Sequence, residues 1–98
     1  MTLRPGAFEK YKQAHENLWP DLAAGMRENE VNMAIYCDGD RLFLFAQAPS
    51  LAHWERSRHD PILTKWDDKM TEFLQADEKG GIAFTLLPKV FGFGDFAA

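Results

Sequence analysis

The chain has 98 residues and a mass of 11.2 kDa, the size of one ordinary domain spanning residues 1–98, with 46% hydrophobic and 27% charged residues. That composition excludes disorder and low complexity. Eleven Lys and Arg against 15 Asp and Glu, a net charge of −4, exclude the basic stripe of a nucleic-acid binder. A lone cysteine, Cys37, cannot form an internal disulfide, and no run approaches the ~20 apolar residues of a membrane helix.

Residues Met1 to Gly6 carry no apolar core of signal-peptide length, so a cytoplasmic protein that touches neither membrane nor nucleic acid is expected. A short strand is read at Leu3. Phe8, Tyr11, His15, Leu18, Leu22 and Met26 then recur at three- and four-residue steps, an amphipathic helical stripe. Pro20 interrupts it. A proline inside a helix costs ~3 kcal/mol, so a break is expected at Leu18–Trp19, with Pro20 opening the continuing helix. Val31 to Cys37 and Arg41 to Gln47 flank Asp38-Gly39-Asp40, the pattern of a β-hairpin. Both faces of this hairpin are apolar, so something must cover the face that helices do not.

Ser50 reads as the N-cap of a helix carrying Leu51 and Trp54, closed by a polar break from Arg56 to His59. Asp60-Pro61 reads as N-cap and first residue of another helix, with Ile62, Leu63, Trp66, Met70, Phe73 and Leu74 on its apolar side. Gly80-Gly81 ends this region. Ile82 to Leu87 is the final strand, extended along an edge by Pro88 to Phe91. The order is βαββαβ, an α+β ferredoxin-like arrangement.

Most catalytic constellations are absent. His15, His53 and His59 do not stand at metal-ligand spacing with other donors, so no metal is expected. Asp38 and Asp40 lack the rest of a calcium loop, and Gly92-Phe93-Gly94 lacks the setting of a dinucleotide loop. Cys37, in mid-strand, reads as a small buried residue. Tyr11 and His15 are different. Four residues apart, they lie one above the other on the helix face turned toward the sheet. An imidazole can give and take a proton near neutral pH, and a phenol beside it can hydrogen-bond a substrate hydroxyl. The plain alternative is a histidine satisfied by a backbone carbonyl. Trp66 is either a plate for the C–H face of a sugar or an ordinary core residue. Trp19 and Trp54 read as packing, and Asp67 with Asp68 as a polar helix face.

Tyr11-x-x-x-His15, with Leu18-Trp19-Pro20-Asp21-Leu22 after it, resembles the corresponding segment of the L-rhamnose mutarotase family. The likeness continues through Asn32-Met33-Ala34-Ile35-Tyr36, Trp54, Lys65-Trp66 and Met70-Thr71, and ends at Leu87-Pro88-Lys89-Val90-Phe91. The resemblance implies a ferredoxin-like subunit that pairs through its sheet into a homodimeric α/β barrel. It implies an isomerase that interconverts the anomers of a 6-deoxyhexose monosaccharide with no cofactor. His15 matches the proton-donating histidine, and Tyr11, Met33, Trp66 and Asp67 match substrate-binding positions. Two of these depart from the family pattern: Met33 stands where it has tyrosine, and Asp67 where it has a second aromatic. A site that loses a polar contact changes its discrimination, which brings L-fucose in beside L-rhamnose. The first strand is also shorter than the family's.

Two other readings suit the same chain: a small cofactorless oxygenase for a flat aromatic ligand, or a binding dimer without catalysis. Oxygen consumption separates the first from a mutarotase. In the second, losing His15 changes only stability.

Overall fold

Two prolines and one glycine set most of the element boundaries. The computed structural model describes residues 1–97; Ala98, the last residue of the expected domain, lies outside the described residues. Helix α1 spans Phe8–Glu16 and α2 spans Pro20–Glu28. The break falls where Pro20 requires it, with Pro20 in the first turn of α2 and Asp21 complementing the dipole beside it. Strands β1 (Asn32–Asp38) and β2 (Arg41–Gln47) form one antiparallel sheet, paired Asp38 with Arg41 at the turn and Asn32 with Gln47 at the far end. Gly39 sits in that two-residue turn at φ +63, a conformation that suits the first position of a tight hairpin turn.

Helix α3 covers Leu51–Arg58, running through the expected polar break, which instead falls at His59 and Asp60. The Ser50 hydroxyl accepts the His53 amide at its start. Helix α4 covers Pro61–Met70, and the Asp60 carboxylate accepts the Ile62 amide. Gly25 allows α2 to come against this cap, since a Cβ there would stand 2.8 Å from Asp60 Oδ2. Among the described residues no helix is long and apolar enough to cross a membrane.

The sheet is smaller than expected. Only the hairpin forms strands; the first and last strands of the βαββαβ reading are reduced to isolated bridges, Thr2 with Arg41, Leu3 with Leu74 and Ala76 with Ile82. The chain leaves α4 at once, so Phe73 and Leu74 belong not to the helix but to the segment beside Leu3. The Arg4 guanidinium fixes this turn by donating to the carbonyls of Thr71 and Leu74, both at 3.0 Å. The expected strand from Ile82 to Leu87 therefore finds its place beside Leu3 already taken. Leu86 and Val90, 86% and 97% exposed, touch almost nothing.

The core lies between the hairpin's inner face and α1, α2 and α4. Leu3, Tyr11, Leu22, Leu42, Leu63, Trp66, Met70 and Leu74 are buried there. Period-two alternation puts Met33, Ile35 and Cys37 with Leu42 and Leu44 on the inner face. Ala34, Tyr36, Phe43 and Phe45 form the outer face, where Tyr36 is 67% and Phe45 50% exposed. Phe96, in a 3-10 turn over Gly94–Phe96, packs its ring on Phe45 at 5.0 Å, and the Gln47 amide donates to the Asp95 carbonyl.

Candidate active site

Helix α1 presents Phe8, Tyr11, Lys12 and His15 along one face, because residues three, four and seven apart coincide on a helix. That face borders a cavity of about 620 Å³ whose other walls are β1, Leu18 and Leu22 at the break into α2, and Leu63 and Trp66 of α4. The volume suits a monosaccharide, and the walls are mostly apolar with few polar groups.

His15 is half-buried and held on three sides. Its Nδ1 lies 2.9 Å from the Tyr11 carbonyl oxygen, one helical turn back. A carbonyl only accepts, so Nδ1 carries the hydrogen. Neutral His15 is therefore the Nδ1–H tautomer, and Nε2 is the nitrogen with a lone pair. The Tyr11 ring lies 4.3 Å from the imidazole, and Trp66 meets it edge to face at 5.2 Å. The plain reading of His15 as satisfied by a backbone carbonyl thus holds for one nitrogen only; the described residues supply no partner for Nε2.

Tyr11 is buried, 6% exposed, and lines the cavity. Burial, with a smaller contribution from the Cys37 thiol, pushes its phenol up to about 12. The hydroxyl is consequently protonated at any physiological pH: it binds and donates but does not act as a base. A folded pKa above the ordinary 10.0 stabilises the fold below pH 10, and that stability is lost as pH rises toward 12. Tyr11→Phe is expected to flatten the decline of the melting temperature between pH 10 and 12, a loss of roughly 2–3 kcal/mol in the native protein. An unchanged alkaline limb in the variant contradicts this.

The structure brings together four of the five residues expected at the site. His15, Tyr11, Met33 and Trp66 all line the cavity. Asp67, next on α4 but rotated by about 100° from Trp66, is not among its walls. It is half-buried near Arg58 of α3, whose guanidinium lies over the Trp54 ring at 5.4 Å. Burial raises the Asp67 carboxyl above 3.8, opposed by Arg58 and assisted by Asp68. A raised carboxyl favours the fold where protonated, and this advantage disappears as pH rises through its folded pKa. Asp67→Asn is expected to leave sugar KM unchanged and to melt no lower than the native chain at pH 7, with the difference closing below pH 3.8.

Cys37 corrects a sequence expectation. It is exposed, not buried, because it lies one residue from the end of β1 and points into the open cavity, its thiol donating to the Gly39 carbonyl at 3.1 Å. Lys12 and Phe8 are among the wall residues to which sequence reasoning gives no site role. Their spacing to His15, three and seven residues, was the available signal. Lys12 reaches Glu16 at 3.9 Å with both side chains 60% exposed, a pair of little energetic weight. Among the described residues no three His, Cys, Asp or Glu side chains cluster as a metal site.

The L-rhamnose mutarotase family model matches residues 1–93. L-rhamnose mutarotases of Escherichia coli O8 (strain IAI1) and Klebsiella pneumoniae (strain 342) are 31% and 30% identical over 94 residues, covering 93% of this chain and 90% of each relative. The crystal structure of an L-rhamnose mutarotase from Formosa agariphila superposes with a TM-score of 0.78 at 27% identity, over 96% of this chain and 93% of that one. With its model matched almost end to end, this chain belongs to the L-rhamnose mutarotase family, a family of carbohydrate isomerases.

Proposed function

We propose that the chain interconverts the α and β anomers of a 6-deoxyhexose without a cofactor, with His15 as the proton carrier. L-Rhamnose is the first substrate and L-fucose the alternative. The observation that carries this reading is the His15 imidazole, tied through Nδ1 to the Tyr11 carbonyl so that Nε2 is left for the cavity. In ring opening His15 acts from its imidazolium form: the C1–O5 bond breaks as O5 takes the proton from Nε2, which leaves the neutral Nδ1–H ring behind. The O1–H proton leaves to water and C1=O1 forms. Rotation about C1–C2 and the reverse transfers close the ring on its other face. The Tyr11 hydroxyl anchors a sugar hydroxyl, and Trp66 gives an apolar plate to the C–H face.

Met33 supplies no hydroxyl at the wall where the family pattern has tyrosine. Anomer exchange measured by proton saturation transfer with L-rhamnose and L-fucose tests the reading. Met33→Tyr is expected to raise kcat/KM for L-rhamnose relative to L-fucose by roughly 3–10-fold, the worth of one hydrogen bond. Exchange of neither sugar above background in the folded native protein contradicts the function.

The uncovered outer face of the hairpin supports a homodimer through the sheet. The bridges that set Leu74 beside Leu3, and Thr2 beside Arg41 of β2, support the ferredoxin-like βαββαβ layout, with residues near Leu74 in the fourth strand position.

A further inference from the structure

Trp66 has two sides. One belongs to the cavity with His15; the other closes a second groove, of about 520 Å³, in which Trp19 is the neighbouring aromatic. Trp19 is the residue that caps α2 at the proline break, with extended backbone at φ −58, ψ 130. Its ring meets Trp66 edge to face, centroids 5.1 Å apart and planes at 87°, and Trp66 in turn meets His15 at 5.2 Å and 86°. Trp19 does not line the cavity.

We infer that Trp19 is a positioning residue: it fixes the Trp66 ring from behind, and Trp66 fixes the plane in which His15 offers Nε2. The inference rests on the mutarotase reading for its catalytic consequence, but the geometry it asserts does not. An imidazole with one hydrogen bond, Nδ1 to the Tyr11 carbonyl, retains freedom to rock about that bond. The Tyr11 ring, at 4.3 Å, and Trp66, at 5.2 Å, both stand against it. Trp66 in turn needs a stop in the second groove, and Trp19 is the residue there whose ring meets its own. The proline break thus does more than turn the chain: Pro20 fixes the backbone that aims Trp19 at α4.

The test compares Trp19→Leu, which removes the aromatic edge, with Trp19→Phe, which keeps one. Histidine-labelled protein is followed by NMR, with His53 and His59 as internal references. In Trp19→Leu the His15 ring resonances are expected to move while those of His53 and His59 stay, because ring currents from Trp66 depend on its orientation. Loss of stability alone would not move them in the folded population. For L-rhamnose exchange kcat should fall on the order of tenfold, as expected for a displaced proton carrier, with KM changing less. Trp19→Phe should restore both readings toward the native protein. Trp19→Met serves if the leucine variant does not fold. A folded variant with unmoved His15 resonances overturns the inference, whether or not the protein proves to be a mutarotase. Absence of exchange in the native protein with moved resonances overturns only the mutarotase reading.

Discussion

His15→Ala is expected to lower kcat for anomer exchange on the order of 10²–10⁴-fold, the contribution of a positioned acid–base group. KM should change little, because the Tyr11 hydroxyl and the Trp66 face remain in the cavity walls. The split has a structural origin. His15 sits over the Tyr11 carbonyl and spends Nδ1 on it, so what the imidazole brings to the cavity is Nε2, which holds the transferred proton in the imidazolium and a lone pair in the neutral ring. A purely structural histidine behaves differently: its removal would cost about 1–3 kcal/mol of stability and leave turnover of the folded protein intact. Thermal melting beside the kinetics separates the two. A variant that melts early but turns over normally contradicts the assigned role.

If the proposed pairing through the sheet holds, Phe43→Glu is expected to convert that dimer into a monomer. Phe43 and its partner Tyr36 lie directly opposite each other on the hairpin's outer face, with Phe45 one step away, and among the described residues no α-helix packs on them. Truncating a central aromatic of an interface costs roughly 2–4 kcal/mol, and two-fold symmetry counts each substitution twice. A burial penalty for the charge adds to this. The dissociation constant should rise by at least about a thousandfold. The isolated subunit has less to lose, since Phe43 is already 38% exposed and Arg41, whose guanidinium lies over its ring at 5.5 Å, can pair with the new carboxylate. Sedimentation at micromolar concentration reads the outcome. Equal mass for native and variant chains would mean that the outer face is covered by something other than a second copy, and the Phe96 contact on Phe45 is the segment to examine next.

What could be read from the residues was governed by local chemistry. Pro20, Ser50, Asp60-Pro61 and Gly39 each act within a few residues, through a missing N–H, a side-chain cap or a positive φ, and each element boundary they imply is found. The outer strands were not legible because their existence depends on pairing partners far along the chain. Ile82 to Leu87 has the composition of a strand, yet Leu74 stands beside Leu3 instead. Leu74 looked helical because it continues the apolar spacing of α4; Arg4, seventy residues away, helps to end the helix before it. At the site, the helical spacing of Tyr11 and His15 put them on one face, and the same spacing contained Phe8 and Lys12. The tautomer of His15 was beyond the sequence, since it follows from the rotamer that directs Nδ1 to its own helix. Asp67 depends on Arg58, which comes from a different helix, α3, and is not signalled by the spacing along α4.

The most direct test of the account is proton saturation transfer between the anomeric signals of L-rhamnose, recorded with native protein and with His15→Ala at equal concentration. Exchange well above the spontaneous rate with native protein, and near that rate with the variant, is the predicted result. Equal exchange with both proteins would contradict the claim that Nε2 of His15 carries the proton.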